Sequence, residues 1–247
     1  MWSMEQRVVS AALALDRWLD RLDQRWSAPP PLAGVIDPEP VATGVVPLDA
    51  VLDGGVQRGE VTVVLADLVA QAGALALSAA TSTEAPCLVA SPEPIEVLTA
   101  RLLASQAEVA AVAVADGAMS EAEWETVAAA VGMMSASALS VSDVGSLTAL
   151  ARVVSSADVD LVVVVDAERY GPPSDVVAAL GRLSRTAGVA VLAALADPGG
   201  ELSGGGGRMV QMHSFRLGGA ATLVHAPPGS FPTAAQATVS LVAGCVR

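Results

Sequence analysis

The 247 residues suffice for one large domain with an appendage, and a formal net charge of -13 argues against nonspecific binding to a phosphate backbone. The chain is 53% hydrophobic but only 3% aromatic, which suits buried parallel strands and small-residue helices better than an aromatic-rich sandwich. All thirteen basic residues are arginines, so any chemistry that needs a lysine is excluded.

Val8, Ala12, Leu15, Leu19, Leu22 and Trp26 recur in steps of four and three, so residues 1–27 are expected to hold an amphipathic helix. Its candidate interface residues are Leu15, Trp18, Leu19, Leu22 and Trp26, facing either a neighbouring subunit or the chain's own domain. Pro29, Pro30 and Pro31 end that pattern, and residues 28–42 read as a linker. Apolar runs at 61–66, 87–90, 109–114, 161–166 and 189–195 then alternate with helical stretches near 73–80, 94–106, 120–134, 145–156 and 174–187. Strand and helix in alternation predict an α/β fold with a mostly parallel sheet flanked by helices. Ser120 with Glu123 forms a capping-box pattern that marks one helix start. Gly204–Gly207 reads as a loop, and residues 222–246 as further strands broken by Pro227, Pro228 and Gly229.

Only Cys87 and Cys245 are present, each among apolar residues, so no disulfide framework or zinc site is expected. His213 and His225 have no carboxylate or thiol at ligand spacing, and no metal is expected there either. No apolar run is long enough to span a bilayer and no leader pattern stands at the start, which implies a cytoplasmic chain with no membrane partner. Trp124, at helical spacing with Val127 and Val131, reads as a core or interface residue.

The strand 61–66 ends where a glycine-rich phosphate loop, G-x-x-x-x-G-K-[ST], would open a helix, but Ala66-Asp67-Leu68-Val69-Ala70-Gln71-Ala72-Gly73 stands there. Around it, Thr43-Gly44, Leu48-Asp49, Gly54-Gly55 and Gln57-Arg58-Gly59-Glu60 resemble the segment before the phosphate loop in DnaB-type replicative helicases. Ser91-Pro92-Glu93 with Leu98, Arg101 and Leu102 resembles that family's S-x-E motif and helix. Met119–Trp124 and Leu139–Asp143 resemble its next helix and strand, and Val163-Val164-Val165-Asp166 its Walker B strand. The resemblance runs in order over residues 43–247 and implies a RecA-like, P-loop-type domain.

Carried over position by position, the resemblance implies loss. The phosphate-loop Gly, Lys and Thr fall on Gln71, Ala72 and Gly73, and Asp67 adds a negative charge beside them. A lost donor of that kind costs about 2–4 kcal/mol of transition-state stabilisation. The polar sensor falls at Ala196, and the basic finger segment falls on His225-Ala226-Pro227-Pro228-Gly229. Near the Gly-rich loop, Arg208 and Arg216 are the only basic residues. Glu93 remains at the catalytic-base position and Asp166 at the Walker B position. Each also has an ordinary reading, as a helix-start Glu and a strand-end Asp.

The resemblance therefore implies a pseudo-ATPase with no catalytic residue in use. No cofactor is expected, ATP and magnesium being possible only if the altered loop still binds them. The expected role is a homo-oligomer, ring or filament, or a RecA-like heteromer with protein partners rather than nucleic acid. An ATP-dependent helicase or replication or repair accessory completed by a partner chain is the alternative, and a monomeric acidic adaptor is a third reading.

Overall fold

Val61–Ala66 (β1) is a run of apolar residues broken only by Thr62, and all six are buried, as a central strand covered on both faces requires. In the computed structural model, which describes residues 39–66, 69–196, 208–214, 220–226, 235–242 and 245–246, β1 lies in a nine-stranded sheet. The other strands are β2 (Cys87–Ser91), β3 (Leu139–Asp143), β4 (Leu161–Val164), β5 (Ala190–Ala196), β6 (Arg208–Ser214), β7 (Ala220–Ala226), β8 (Ala235–Val242) and β9 (Cys245–Val246). Their order across the sheet is β3-β2-β4-β5-β1-β6-β7-β8-β9. Pairing is parallel from β3 to β6 and antiparallel from β6 to β9.

The helices among the described residues are α1 (Val46–Val51), α2 (Val69–Ser82), α3 (Ile95–Ala107), α4 (Ala111–Asp116), α5 (Glu121–Ala136), α6 (Leu147–Ser156) and α7 (Pro173–Ala187). Alternate strand residues divide between two cores, as the two-residue period dictates. Val64, Leu161 and Val163 pack with Leu75 and Leu98 from α2 and α3, whereas Val63, Leu65, Val162 and Val164 pack with Leu150 and Leu180 from α6 and α7. Both faces of the parallel region are thereby covered, and at about 25 cal/mol per Å2 of apolar area these two layers are the main favourable contribution to folding.

Local signals place the turns. Thr43 donates from N–H and Oγ1 to Asp49 Oδ1, at 2.8 and 2.7 Å, and Gly44 N–H reaches Asp49 Oδ2 at 3.0 Å, tying the approach to α1. Gly44 has φ +77°, and a Cβ there would fall 2.3 Å from the Ser82 carbonyl oxygen, so only glycine fits. Val41 is buried and bridges Val56, so the last residues of the segment read as a linker are part of the fold.

Two expectations change. The run 109–114 is not a strand: Val109 is buried beside Val127 and Ala130, and α4 follows, ended by Gly117 in the left-handed region. Its Val/Ala alternation mimics a strand, but Val109, Ala113 and Val114 pack with Ala107, Val127 and Ala130 from the helices on either side in sequence. The strand β6 over 208–214 was not anticipated; it sits against β1 and lengthens the parallel region by one strand. The amphipathic helix expected over residues 1–27 and its interface residues Leu15, Trp18, Leu19, Leu22 and Trp26 lie outside the described residues, as do Gly204–Gly207 and Arg216. No helix among the described residues is long and apolar enough to cross a membrane.

Candidate functional site at the carboxyl ends of the strands

In open α/β sheets, ligands bind beyond the carboxyl ends of the parallel strands, where the loops converge. Here β1 ends at Ala66, β2 at Ser91 and β4 at Val164. Beyond those ends stand the amino-terminal turn of α2, Glu93, and Asp166 followed by a 3-10 turn over Ala167–Tyr170. The sheet order sets β2 beside β4, which brings Glu93 and Asp166 together although they are far apart in sequence.

What joins them is Arg101, reaching back from α3. Its Nη1 donates to Glu93 Oε2 at 2.7 Å and to Asp166 Oδ2 at 2.6 Å, and its Nη2 lies 3.5 Å from Asp166 Oδ1. Ser91 Oγ donates to Asp166 Oδ2 at 3.3 Å and accepts from the Glu93 N–H at 3.1 Å, so the last residue of β2 braces both acids. Arg169 from the 3-10 turn sits 3.4 Å from the other Glu93 oxygen. The Asp166 side chain is only 8% exposed and that of Arg101 21%, so the pair is shielded enough to count energetically, unlike a surface ion pair.

Burial alone would lower the Arg101 pKa, but hydrogen bonds and charge from Asp166, then from Glu93, outweigh it and the net shift is upward. The guanidinium carries its charge at every relevant pH. Burial, with the negative charge of Asp166 adding, also pushes the Tyr170 phenol up, and its hydroxyl donates to the Val144 carbonyl at 2.8 Å. Asp166 has φ 53°, in the left-handed region that a short polar side chain tolerates better than most. Such strain is commonly retained at functional positions.

The other side of the site is different. Residues 67 and 68 stand between β1 and α2, and the helix begins at Val69, ahead of the positions on which the family's loop Gly, Lys and Thr fall. Gln71, Ala72 and Gly73 are all within α2; Ala72 is fully buried, and Gln71 Oε1 is buried with no hydrogen-bond partner among the described residues. Gly73 touches the acidic cluster's counter-ion: a Cβ built on it would lie 2.9 Å from Arg101 Nη2. Asp67 lies outside the described residues.

The remaining sequence candidates are dispersed or undescribed. Ala196 closes β5, in register with Ala66. His225 and Ala226 belong to β7, His225 opposite Val210 and Ala235, while 227–229 fall outside the described residues. Arg208 opens β6 and is in register with Thr62. Trp124 is 52% exposed, so of its two readings the core is ruled out; Val127 is the residue of that trio that packs inside. Cys87 is buried in β2, and desolvation pushes its thiol up to about 12, which leaves it inert.

Residues 40–167 match the family model described as the DnaB-like helicase C terminal domain, just over half of the chain. The chain belongs to that family. Among solved structures, the ATPase domain of G40P superposes with a TM-score of 0.68 at 14% identity, over 97% of this chain and 98% of that one. A DnaB-like replicative helicase, described with its interactions with primase, superposes with a TM-score of 0.67 at 14% identity, over 99% of this chain and 68% of that one. At such identity these likenesses establish the RecA-like fold, and no curated protein matches the chain.

Proposed function

We propose that this chain is a non-catalytic member of the DnaB-like family, working as an oligomeric structural or protein-interaction module. The observation that carries the reading is the β1–α2 corner, where a two-residue connection leads into a helix bearing Gln71, Ala72 and Gly73 where the family's loop has glycine, lysine and a hydroxyl. Without a lysine in the whole chain, no residue in cis supplies the ammonium that phosphoryl transfer uses. The apolar layers that specify the fold persist, and so does the capacity to present surfaces to a partner or to a second copy. The primase association described for the DnaB-like structural relative makes a replication protein one reasonable class of partner.

A second reading, a helicase or replication accessory completed by a partner chain, draws support from the retention of Glu93 and Asp166 at one site. It requires a cation from outside to enter a corner that this chain fills itself. Light scattering and phosphate release, measured on the full chain with and without ATP and magnesium, separate the two. The proposal expects an assembly indifferent to nucleotide and no phosphate release. Assembly that forms only with ATP, or turnover above the buffer blank, would overturn it.

A further inference from the structure

We infer that Arg101 is the chain's own occupant of the position where an ATPase of this fold holds a divalent cation, and that its guanidinium keeps metal out by neutralising Glu93 and Asp166 together. The inference rests on the non-catalytic reading above and deepens it, but it concerns metal alone. The donor set does not fit a magnesium ion. Oδ2 of Asp166 already accepts from Arg101 and Ser91, and Oδ1 faces Arg101 Nη2. Glu93 divides its two oxygens between Arg101 and Arg169. Two carboxylates thus meet two guanidiniums, which leaves Glu93 and Asp166 between them no net charge to attract a cation of small radius that demands oxygen ligands.

Gly73 completes the arrangement. At that position the family's loop carries the hydroxyl that would ligate the metal, and its replacement does more than remove a ligand. Because Gly73 has no Cβ, Arg101 Nη2 comes within 2.9 Å of where one would stand, a separation that no larger residue permits without moving the guanidinium. Glycine inside a helix is costly, so its presence in the first turns of α2 calls for a packing reason, and the guanidinium provides one. Gly73 and Arg101 are therefore one device: the seat and the cation that sits in it. The charge of arginine is permanent, so no change of pH opens the site.

Manganese alone, followed by electron paramagnetic resonance and thermal melting on the full chain, tests this without nucleotide. The parent is expected to take up no Mn2+ that the Asp166→Asn substitution removes, and its Tm is expected not to respond to the metal. Arg101→Met leaves two close carboxylates short of a counter-charge. It is expected to bind one Mn2+ per chain, with a Tm rise of about 3 °C at saturating metal, and Asp166→Asn added to it should abolish both. Arg101→Lys, which keeps the charge, should behave as the parent. Site-specific Mn2+ uptake by the parent would overturn the inference, as would a folded Arg101→Met variant that binds none. Should that variant not fold, the parent titration decides alone. Metal uptake by the parent without phosphate release would sink this inference and leave the proposed function standing, and phosphate release would sink the proposed function itself.

Discussion

The β1–α2 corner and the β2–β4 corner face the same space at the end of the sheet, but they have diverged in opposite ways. At the first, two residues join strand to helix, and Gln71, Ala72 and Gly73 lie within that helix. At the second, both acids persist, and one of them, Asp166, keeps a strained backbone. A lost lysine leaves nothing behind that must be satisfied, whereas two carboxylates a few ångströms apart must be neutralised or removed. Arg101 and Ser91 supply partners to both acids.

That contrast can be broken most sharply at Asp166. Asp166→Ala strips Arg101 of its most buried partner and places a less tolerant residue at φ 53°, so urea denaturation should show a loss of about 2–3 kcal/mol, reduced from a fully buried pair because Glu93 still contacts the guanidinium. Asp166→Asn, which tolerates the same backbone, should lose less. Next, Gly73→Ala would gain about 1 kcal/mol of helix propensity if nothing opposed it. With Arg101 in place the new Cβ must displace the guanidinium, so the net change should be near zero or unfavourable, and the full gain should appear only in an Arg101→Met background. Additive effects in that cycle would show that the two residues do not meet.

Gln71 sharpens the other half of the comparison. Its Oε1 is buried without a partner among the described residues, so Gln71→Leu should be neutral or stabilising by up to about 1 kcal/mol. A clear destabilisation would show that the helical corner holds a polar contact after all. The smallest effect is expected far from both corners, at the α5 capping box. There the Ser120 N–H and hydroxyl both donate to Glu123 Oε2 at 2.7 Å, and the backbone bond, then the hydroxyl, lowers the Glu123 pKa. A lowered carboxyl contributes stability above its unfolded pKa and loses it as pH falls through the folded value. The melting difference between the parent and Ser120→Ala should therefore shrink on acidification through the carboxylate range.

Much of the fold is legible because buried parallel strands have a composition of their own. Residues 61–66, 87–90 and 161–166 are nearly continuous apolar runs, and the helices between them are marked by Ser120, Pro173 and the glycines that end them. Residues 109–114 mislead because alternating valine and alanine suits a strand or a short helix equally, and only the packing against Val127 decides. The family resemblance named Glu93 and Asp166, and the structure brings both to one arginine. It named Arg101 only as part of a helix motif and missed its partners, because the contact spans β2, α3 and β4. A signal was nonetheless available: two acids brought to one site call for a counter-charge, and in a chain without lysine arginine is the side chain to supply it.

The place of β1 in the sheet has a temporal consequence. Its two neighbours, β5 and β6, both come more than a hundred residues later, Val61 pairing with Val191 and Thr62 with Arg208. During synthesis the β2–β3–β4 unit can pair as soon as it emerges, while β1, the most apolar surface at the start of the sheet, waits unpaired for the second half of the chain. A chain truncated just before Ala190 and released from the ribosome should accordingly protect β2 and β4 from hydrogen exchange and leave β1 open.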